Sequence, residues 1–334
     1  MRVIVEGKLT EVRAVWFENN KVKMIDQRIL PLEFKILSFY KCSEVAEAIR
    51  NMTIRGAPSI GAAAAYGLTL GALRGDNLET ATNMLRRTRP TANDLFYAID
   101  YMLNAIASGK DPITAANAYA DAIVEKCKRI GKHGSSLIKN NSKVMTHCNA
   151  GALASVDVGT ALAPLRIARD EGKNFFVYVS ETRPRLQGMR LTSWELLNEG
   201  IPHAIIADAA SGHYMKKDVD VIIVGADRIA SNGDFANKIG TFEKAVLAKE
   251  LGIPFYVAAP VSTFDFSIES GDEIPIESRS EDEVMEIEGR RIAPEGASAL
   301  NPAFDVTPNK YVTGFITEIG ILKPSEISKM KIKR

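Results

Sequence analysis

From Lys143 onward the chain alternates short apolar runs with stretches of helical pattern, and this alternation restricts the fold more than any other feature. The runs are Val144-Met145, Phe175 to Val179, His203 to Ile206, Val219 to Val224, Phe255 to Ala258 and Val312 to Ile316. Runs of this length, separated by helix-length connections, predict βαβ units around a parallel sheet. Five of them lead into polar or turn-forming residues: Cys148, Glu181 through Arg185, Asp208, Asp227 and Pro260 through Thr263. Loops are polar in any protein, which accounts for many such endings. Ligands in open α/β folds nevertheless bind at the carboxyl edge of the strands, so a thiol and a carboxylate are predicted to face one crevice.

The residues before the sheet read differently. The first forty alternate apolar and polar positions (Val3-Ile4-Val5, Val12 to Trp16, Val22 to Ile25), as in a small antiparallel sheet. Helical patterns follow over Ser43–Asn51, Pro58–Leu73, Asn77–Arg87, Ala92–Ile106 and Asp111–Ile130, and Gly131 to Ser136 is read as the start of a second domain or its linking helix. The fold class is α/β, with residues 1–130 as a small β-sheet plus helices and residues 131–334 as the α/β domain. A length of 334 residues with 46% apolar content suits about two such cores.

Composition narrows the partners. Lys plus Arg (42) against Asp plus Glu (41) leaves +1, which favours neither nucleic acid nor membrane. Cys42, Cys127 and Cys148 are an odd number without CxxC spacing, so neither a disulfide framework nor a zinc site is indicated and the reducing cytosol is expected. Met1 to Glu6 lacks a signal-peptide apolar core, and Ile60 to Leu73 is too short and too rich in Ala and Gly to span a bilayer. The expectation is a cytoplasmic protein. The acidic stretch Glu269 to Glu288 reads as a solvated loop and the basic end Lys323 to Arg334 as a frayed terminus.

Two helix starts carry cations. Ile54-Arg55-Gly56-Ala57-Pro58 places an Arg and a Gly before a Pro at the first helical position, exposing backbone N–H groups to an anion. Thr88-Arg89-Pro90-Thr91-Ala92 repeats the theme, with Asn93 and Asp94 in the next turn. Either one alone is more often packing than phosphate binding; two together suit a phosphorylated substrate.

The runs IRGAPSIGAAAAYGL from Ile54, TRPTANDL from Thr88, THCNAGALA from Thr146, SETRPRLQGMRLTSWEL from Ser180, GADRIASNGDFANKIGT from Gly225, IPFYVAAPVSTFD from Ile253 and NPAFDVTP from Asn301 resemble the methylthioribose-1-phosphate isomerases. The resemblance spans residues 54 to 308 in order. It implies a C-terminal Rossmann-like domain, a homodimer, no metal or organic cofactor, and conversion of 5-methylthioribose 1-phosphate to 5-methylthioribulose 1-phosphate in methionine salvage. It makes Cys148 and Asp227 the catalytic pair, and Arg55, Gly56, Ala57, Arg89, Gln187, Asn237 and Lys238 the substrate-binding residues. Related branches act on ribose 1,5-bisphosphate or 5-deoxyribose 1-phosphate, or serve as non-catalytic subunits of a translation-initiation exchange factor. Where the isomerases usually read Asp-Asn-Met, this chain has Asp208 to Met215, which bears on pocket shape.

The chemistry explains why these residue types are needed. The anomeric oxygen of a sugar 1-phosphate is esterified, so an acid must protonate the ring oxygen while hydrogen moves from carbon 2 to carbon 1. The resemblance gives the acid to Asp227, with its pKa raised by burial, and the base to Cys148. A hydride shift with Cys148 as a polarising neighbour is the other open route. His147 precedes the thiol, but adjacent strand residues face opposite sides, which argues against direct action. Apolar walls for a methylthio group are sought at Met52, Trp194 or Tyr214, and His213 as a further pocket residue.

Overall fold

A computed structural model describes residues 1–5, 7–89 and 93–330. Pro90, Thr91 and Ala92 of the second cationic helix start, and the last four residues of the basic end, lie outside the described residues.

The chain opens with a hairpin, β1 (Arg2–Val5) and β2 (Lys8–Glu11), and then a separate three-stranded antiparallel sheet, β3 (Val15–Glu18), β4 (Lys21–Ile25) and β5 (Ile36–Phe39). Two small sheets thus stand where the alternation suggested one. Five helices follow: α1 (Cys42–Arg50), α2 (Ala57–Arg74), α3 (Leu78–Arg86), α4 (Asn93–Ala107) and α5 (Pro112–Ser135). Every residue of α2 from Ser59 to Gly71 is buried, as expected of a helix that is apolar on all sides. Around it pack α1, α3, α4 and α5.

The sequence pattern ends α5 at Ile130, but the helix runs on to Ser135. The glycines that looked like a linker are sites of close approach. A Cβ on Gly134 would lie 2.4 Å from Pro164 Cγ, and one on Gly131 would lie 2.8 Å from Ile167 Cγ1. Their bare backbone lets α5 press against α6 (Ala163–Asp170).

Between α5 and the C-terminus come β6 (Lys143–Thr146), α6, β7 (Phe176–Ser180), α7 (Ser193–Asn198), β8 (His203–Ile206), α8 (Ser211–Lys217), β9 (Val221–Val224), β10 (Arg228–Ala230), β11 (Phe235–Lys238), α9 (Thr241–Glu250), β12 (Phe255–Ala258) and β13 (Phe264–Asp265). The remainder is α10 (Asp282–Met285), β14 (Glu286–Ile287), β15 (Arg290–Arg291), β16 (Phe304–Thr307), β17 (Gly314–Thr317), β18 (Gly320–Leu322) and α11 (Pro324–Met330). The main sheet has the order β18-β17-β12-β9-β6-β7-β8, parallel throughout except for β18. Ile222 and Val224 of β9 bury into one apolar cluster while Val221 and Ile223 bury into another on the opposite face. Both faces are covered, as parallel sheets require.

Numbered among themselves, the six parallel strands read 3-2-1-4-5-6 from β8 to β17. The direction of winding reverses between β6 and β9, which pair directly, Val144 beside Val221 and Met145 beside Ile222. The loops leaving such a pair diverge and leave a crevice. A second sheet, β13-β10-β11-β16, stands beside it. Its β10–β11 hairpin turns at Asn232-Gly233, with Gly233 at φ 90. Asn-Gly between apolar residues is a strong hairpin signal, and the sequence pattern above did not single out this hairpin.

Candidate active site

Cys148 follows β6 by two residues and Asp227 follows β9 by three, so the reversal point of the sheet brings both to one crevice. The loop carrying Cys148 is held by side chains. Cys148 N–H donates to Thr182 Oγ1 at 2.9 Å, and its carbonyl accepts from Thr192 Oγ1 at 2.6 Å. Behind it the buried Glu195 accepts from Asn149 Nδ2 (2.9 Å), Ala152 N–H (2.7 Å) and Leu153 N–H (3.3 Å). Asn149 in turn accepts from the Arg55 guanidinium at both its backbone oxygen and its side-chain oxygen. Glu195 and Asn149 were not singled out from sequence. The available signal was an acidic residue embedded in Trp194-Glu195-Leu196-Leu197, where burial forces a carboxylate to find donors.

The loop carrying Asp227 is held by backbone. Asp227 N–H donates to Ala236 O at 2.9 Å, which closes the base of the β10–β11 hairpin. The same hairpin returns Asn237 and Lys238 on β11. Asn237 Nδ2 donates to Thr241 Oγ1 at 3.0 Å at the start of α9, and Lys238 Nζ lies 4.1 Å from the centre of the Phe304 ring.

The opposite wall comes from the helical half. Gly56 caps α2 at φ 89, and a Cβ there would lie 2.4 Å from Ala154 O. Only glycine permits this approach of α2 to the Cys148 loop. Ala57 opens the helix, with Pro58 behind it. Arg89 lies 3.8 Å from Glu277.

Arg55, Gly56, Ala57, Arg89, Cys148, Gln187, Asp227, Asn237 and Lys238 all line one cavity of about 170 Å³. Met52 lines it too, whereas Trp194 stacks on Phe34 and Tyr214 packs on Tyr178, both outside it. His213 is exposed, edge-on to Tyr214, and none of Asp208 to Met215 reaches the cavity. The unusual segment is therefore not a pocket wall. Conversely, the acidic stretch taken for a solvated loop contributes Ile274, Pro275, Glu277 and Arg279 to the lining. It folds back because Arg279 bonds Glu277 and Glu283, and because Glu277 O accepts from Ala303 N–H at 2.8 Å.

The electrostatics are those of an anion site. Arg279 and Arg185 bond Glu283, and Arg228 bonds Asp265. Among the described residues Arg55 has the neutral Asn149 as its hydrogen-bond partner and Lys238 lies on an aromatic face, so neither is held in an ion pair, and the Asp227 carboxyl faces both across the cavity. Burial lowers the pKa of both. Enclosure pushes the Asp227 carboxyl above its ordinary value, against the pull of Lys238, Arg55 and Arg89. Asp227 is exposed toward the cavity, so a ligand that covered it would raise it further. Burial likewise raises the Cys148 thiol, opposed by Lys238 and Arg55. Asp94, at the edge of the cavity, is pushed up to about 6 by burial. Three polar atoms of the lining residues, Arg55 Nε, Gln187 Oε1 and Glu277 Oε2, are buried with no hydrogen-bond partner among the described residues. Orphaned donors and acceptors in a cavity mark places where a ligand bonds.

His147 does not touch the thiol. Its Nε2 lies 2.8 Å from Ile239 O and its Nδ1 3.4 Å from Thr182 Oγ1. Burial, with Lys244 nearby, lowers its pKa and keeps it neutral. Among the described residues no three His, Cys, Asp or Glu side chains form a metal-ligating group, and no helix is long and apolar enough to cross a membrane.

A family model described as the initiation factor 2 subunit family matches residues 53–324, from just before Arg55 to the start of α11. The chain belongs to that family. Within the initiation factor 2 subunit family, the methylthioribose-1-phosphate isomerase of Acetivibrio thermocellus is 50% identical over 92% of this chain and 95% of its own. The crystal structure of 5-methylthioribose 1-phosphate isomerase from Pyrococcus horikoshii OT3 superposes with a TM-score of 0.90 at 44% identity, covering 97% of this chain and 96% of that one. A structure described as the delta subunit of translation initiation factor eIF-2B from A. fulgidus gives a TM-score of 0.87 at 40% identity, covering 95% and 97%. Family membership thus spans an enzyme and a protein described as an initiation factor, and the choice between them rests on the cavity.

Proposed function

We propose that this chain is a methylthioribose-1-phosphate isomerase of methionine salvage, with Cys148 and Asp227 as its catalytic pair. The observation that carries the reading is the meeting of a thiol and a carboxyl at the β6–β9 reversal point, inside a cavity with two cations that are held in no ion pair among the described residues. The names of relatives about 50% identical over most of the chain supply the substrate.

Arg55, Arg89 and Lys238, with the free N–H groups at the Gly56-Ala57 helix start, hold the phosphate; Gln187 and Asn237 bond the sugar hydroxyls. Asp227 gives its proton to the ring oxygen as the ring opens. Cys148, as thiolate, removes the proton on carbon 2 to form an enol and returns it to carbon 1. The carbon 2 hydroxyl becomes the ketone and its proton restores Asp227, so the product is an isomer of the substrate. In the hydride route the hydrogen on carbon 2 migrates to carbon 1 beside Cys148. Met52 and Ile274 offer apolar contacts for the methylthio group. The full reading is a cytoplasmic homodimer in which a helical unit, residues 1–130, presents the arginines and a Rossmann-like unit, residues 131–334, presents acid and thiol.

The likeness to the structure described as an initiation-factor subunit supports a second, non-catalytic reading, which has no need of an acid and a thiol in one cavity. Isomerase turnover of 5-methylthioribose 1-phosphate beside ribose 1,5-bisphosphate and 5-deoxyribose 1-phosphate separates the readings. Preference for the methylthio sugar is expected. Preference for another pentose keeps the chemistry and moves the substrate, and inactivity on all three in a folded protein favours the regulatory subunit.

A further inference from the structure

Cys148 and Thr182 both lie in the left-handed region, at φ 63 and φ 68. An L-residue reaches that region at a cost of roughly 1–2 kcal/mol, and a β-branched threonine there is a genuine outlier. Such conformations persist only where neighbours over-determine them. Here the two are coupled, because Thr182 Oγ1 accepts the Cys148 N–H at 2.9 Å.

The Thr182 hydroxyl donates to Ser180 O at 2.9 Å and its carbonyl accepts from Leu186 N–H at 2.7 Å, while its backbone N–H and that of Arg183 are both held by one carboxylate. Asp208 Oδ1 accepts the Thr182 N–H at 2.9 Å and Oδ2 accepts the Arg183 N–H at 2.7 Å. Asp208 follows β8, Thr182 follows β7 and Cys148 follows β6, so three neighbouring strand ends are tied in series. Asp208 itself does not line the cavity that holds the thiol. Its two acceptor oxygens meet two adjacent N–H groups, a pattern an amide cannot copy, since one of its two polar atoms is a donor. The neutral His147 closes the arrangement from behind, with Nδ1 3.8 Å from Asp208 Oδ1.

We propose that Asp208 is a positioning residue for Cys148, aiming the thiol by holding the Thr182-Arg183 turn in its left-handed conformation. The proposal rests on the isomerase reading for its kinetic consequence and on geometry alone for its effect on the thiol. It also gives the chain's unusual segment a role at its first residue: Asp208 props the site, Ser211 donates to the Asp208 carbonyl, and Met215 packs in the core without lining the cavity.

The test uses the full chain with Asp208→Asn and, independently, Thr182→Ala, which removes the acceptor of the Cys148 N–H and leaves Asp208 and its two bonds in place. Three quantities are read: kcat and KM on 5-methylthioribose 1-phosphate, the pH dependence of iodoacetamide alkylation at Cys148 by peptide mass spectrometry, and Tm. Cys42 and Cys127 are buried and serve as internal references. A misdirected reacting group commonly costs up to about a hundredfold. Both variants are expected to lower kcat about 10- to 100-fold with KM within about threefold, and to shift the alkylation profile of Cys148. A variant pair with wild-type kcat and an unchanged alkylation profile overturns the proposal, as does a loss confined to KM or Tm. Should Asp208→Asn fail to fold, Asp208→Glu, which keeps two acceptor oxygens but displaces them, decides by the same readings. If the wild-type chain turns over no sugar phosphate, the isomerase reading falls, while the alkylation profiles still decide whether Asp208 aims the thiol.

Discussion

The loops after β6 and β9 leave neighbouring strands of the same sheet and reach the same cavity, yet they are built by different means. Asp227 sits at the base of a hairpin whose shape is fixed by a backbone ladder and by the buried Phe235. Cys148 sits in a loop whose every support named above is a side chain: Thr182, Thr192, Glu195 and Asn149. Backbone bonds survive most substitutions, whereas a side-chain support is lost with one codon. Substitutions far from the cavity should therefore disturb the thiol more readily than the acid.

Removing the reacting groups tests the pair itself. Asp227→Asn should lower kcat by roughly 10³- to 10⁴-fold, the upper range for a positioned acid, with substrate affinity retained in an equilibrium binding measurement. Cys148→Ser should lose roughly 10²- to 10³-fold. Deuterium appearing at carbon 1 of product made in heavy water identifies the proton route, with exchange at Cys148 before the proton is returned.

Protonation sharpens the contrast. Asp227 must carry a proton and Cys148 must lack one, and burial raises the pKa of both groups. The shift favours the acid in its working form and disfavours the base in its own. The kcat/KM profile should fall on the acid side as the thiolate takes a proton and on the alkaline side as the carboxyl loses one. A profile with only one of these limbs would contradict this pairing.

The supports should separate in the predicted direction. Glu195→Gln leaves one buried N–H short of an acceptor and should lower kcat about tenfold at a stability cost of about 1–3 kcal/mol, read by chemical denaturation. Phe235→Leu under the Asp227 hairpin should cost about 1–2 kcal/mol with kcat within about threefold. Equal kinetic damage from both would erase the distinction.

The smallest effect concerns Asp94. Its folded pKa of about 6 exceeds the ordinary 3.8, so the folded state binds the proton more tightly than the unfolded chain. The resulting penalty is absent below the ordinary value and grows as pH rises through about 6. Asp94→Asn should stabilise by roughly 1 kcal/mol at pH 7.5, less than the full shift implies because the residue is only half-buried. The gain should vanish near pH 4 in paired denaturation curves.

Much of this was legible in the sequence. The runs at His203 and Phe255 coincide with β8 and β12, and α1 to α4 fall within a residue or so of their periodic patterns where described. The nine residues drawn from motif likeness share one cavity. What stayed hidden depends on contacts that pattern does not encode. Gly131 and Gly134 look like a linker until Pro164 and Ile167 are seen against them. Arg279 hides in an acidic stretch because its value lies in folding that stretch back onto the cavity. Glu195 and Asp208 act on backbone groups of distant loops, and no periodicity reports the partner of a carboxylate.

Helix α5 carries a mechanical implication. Its 24 residues form an unbroken rod, roughly 36 Å long at 1.5 Å per residue, packed on α2 at one end and on α6 and β17 at the other. The bare backbone at Gly131 and Gly134 seats that far end like a shaft in a fitted bearing. The rod thus ties the helical wall that bears Arg55 to the sheet whose edge bears Cys148 and Asp227, through a joint made by two missing side chains.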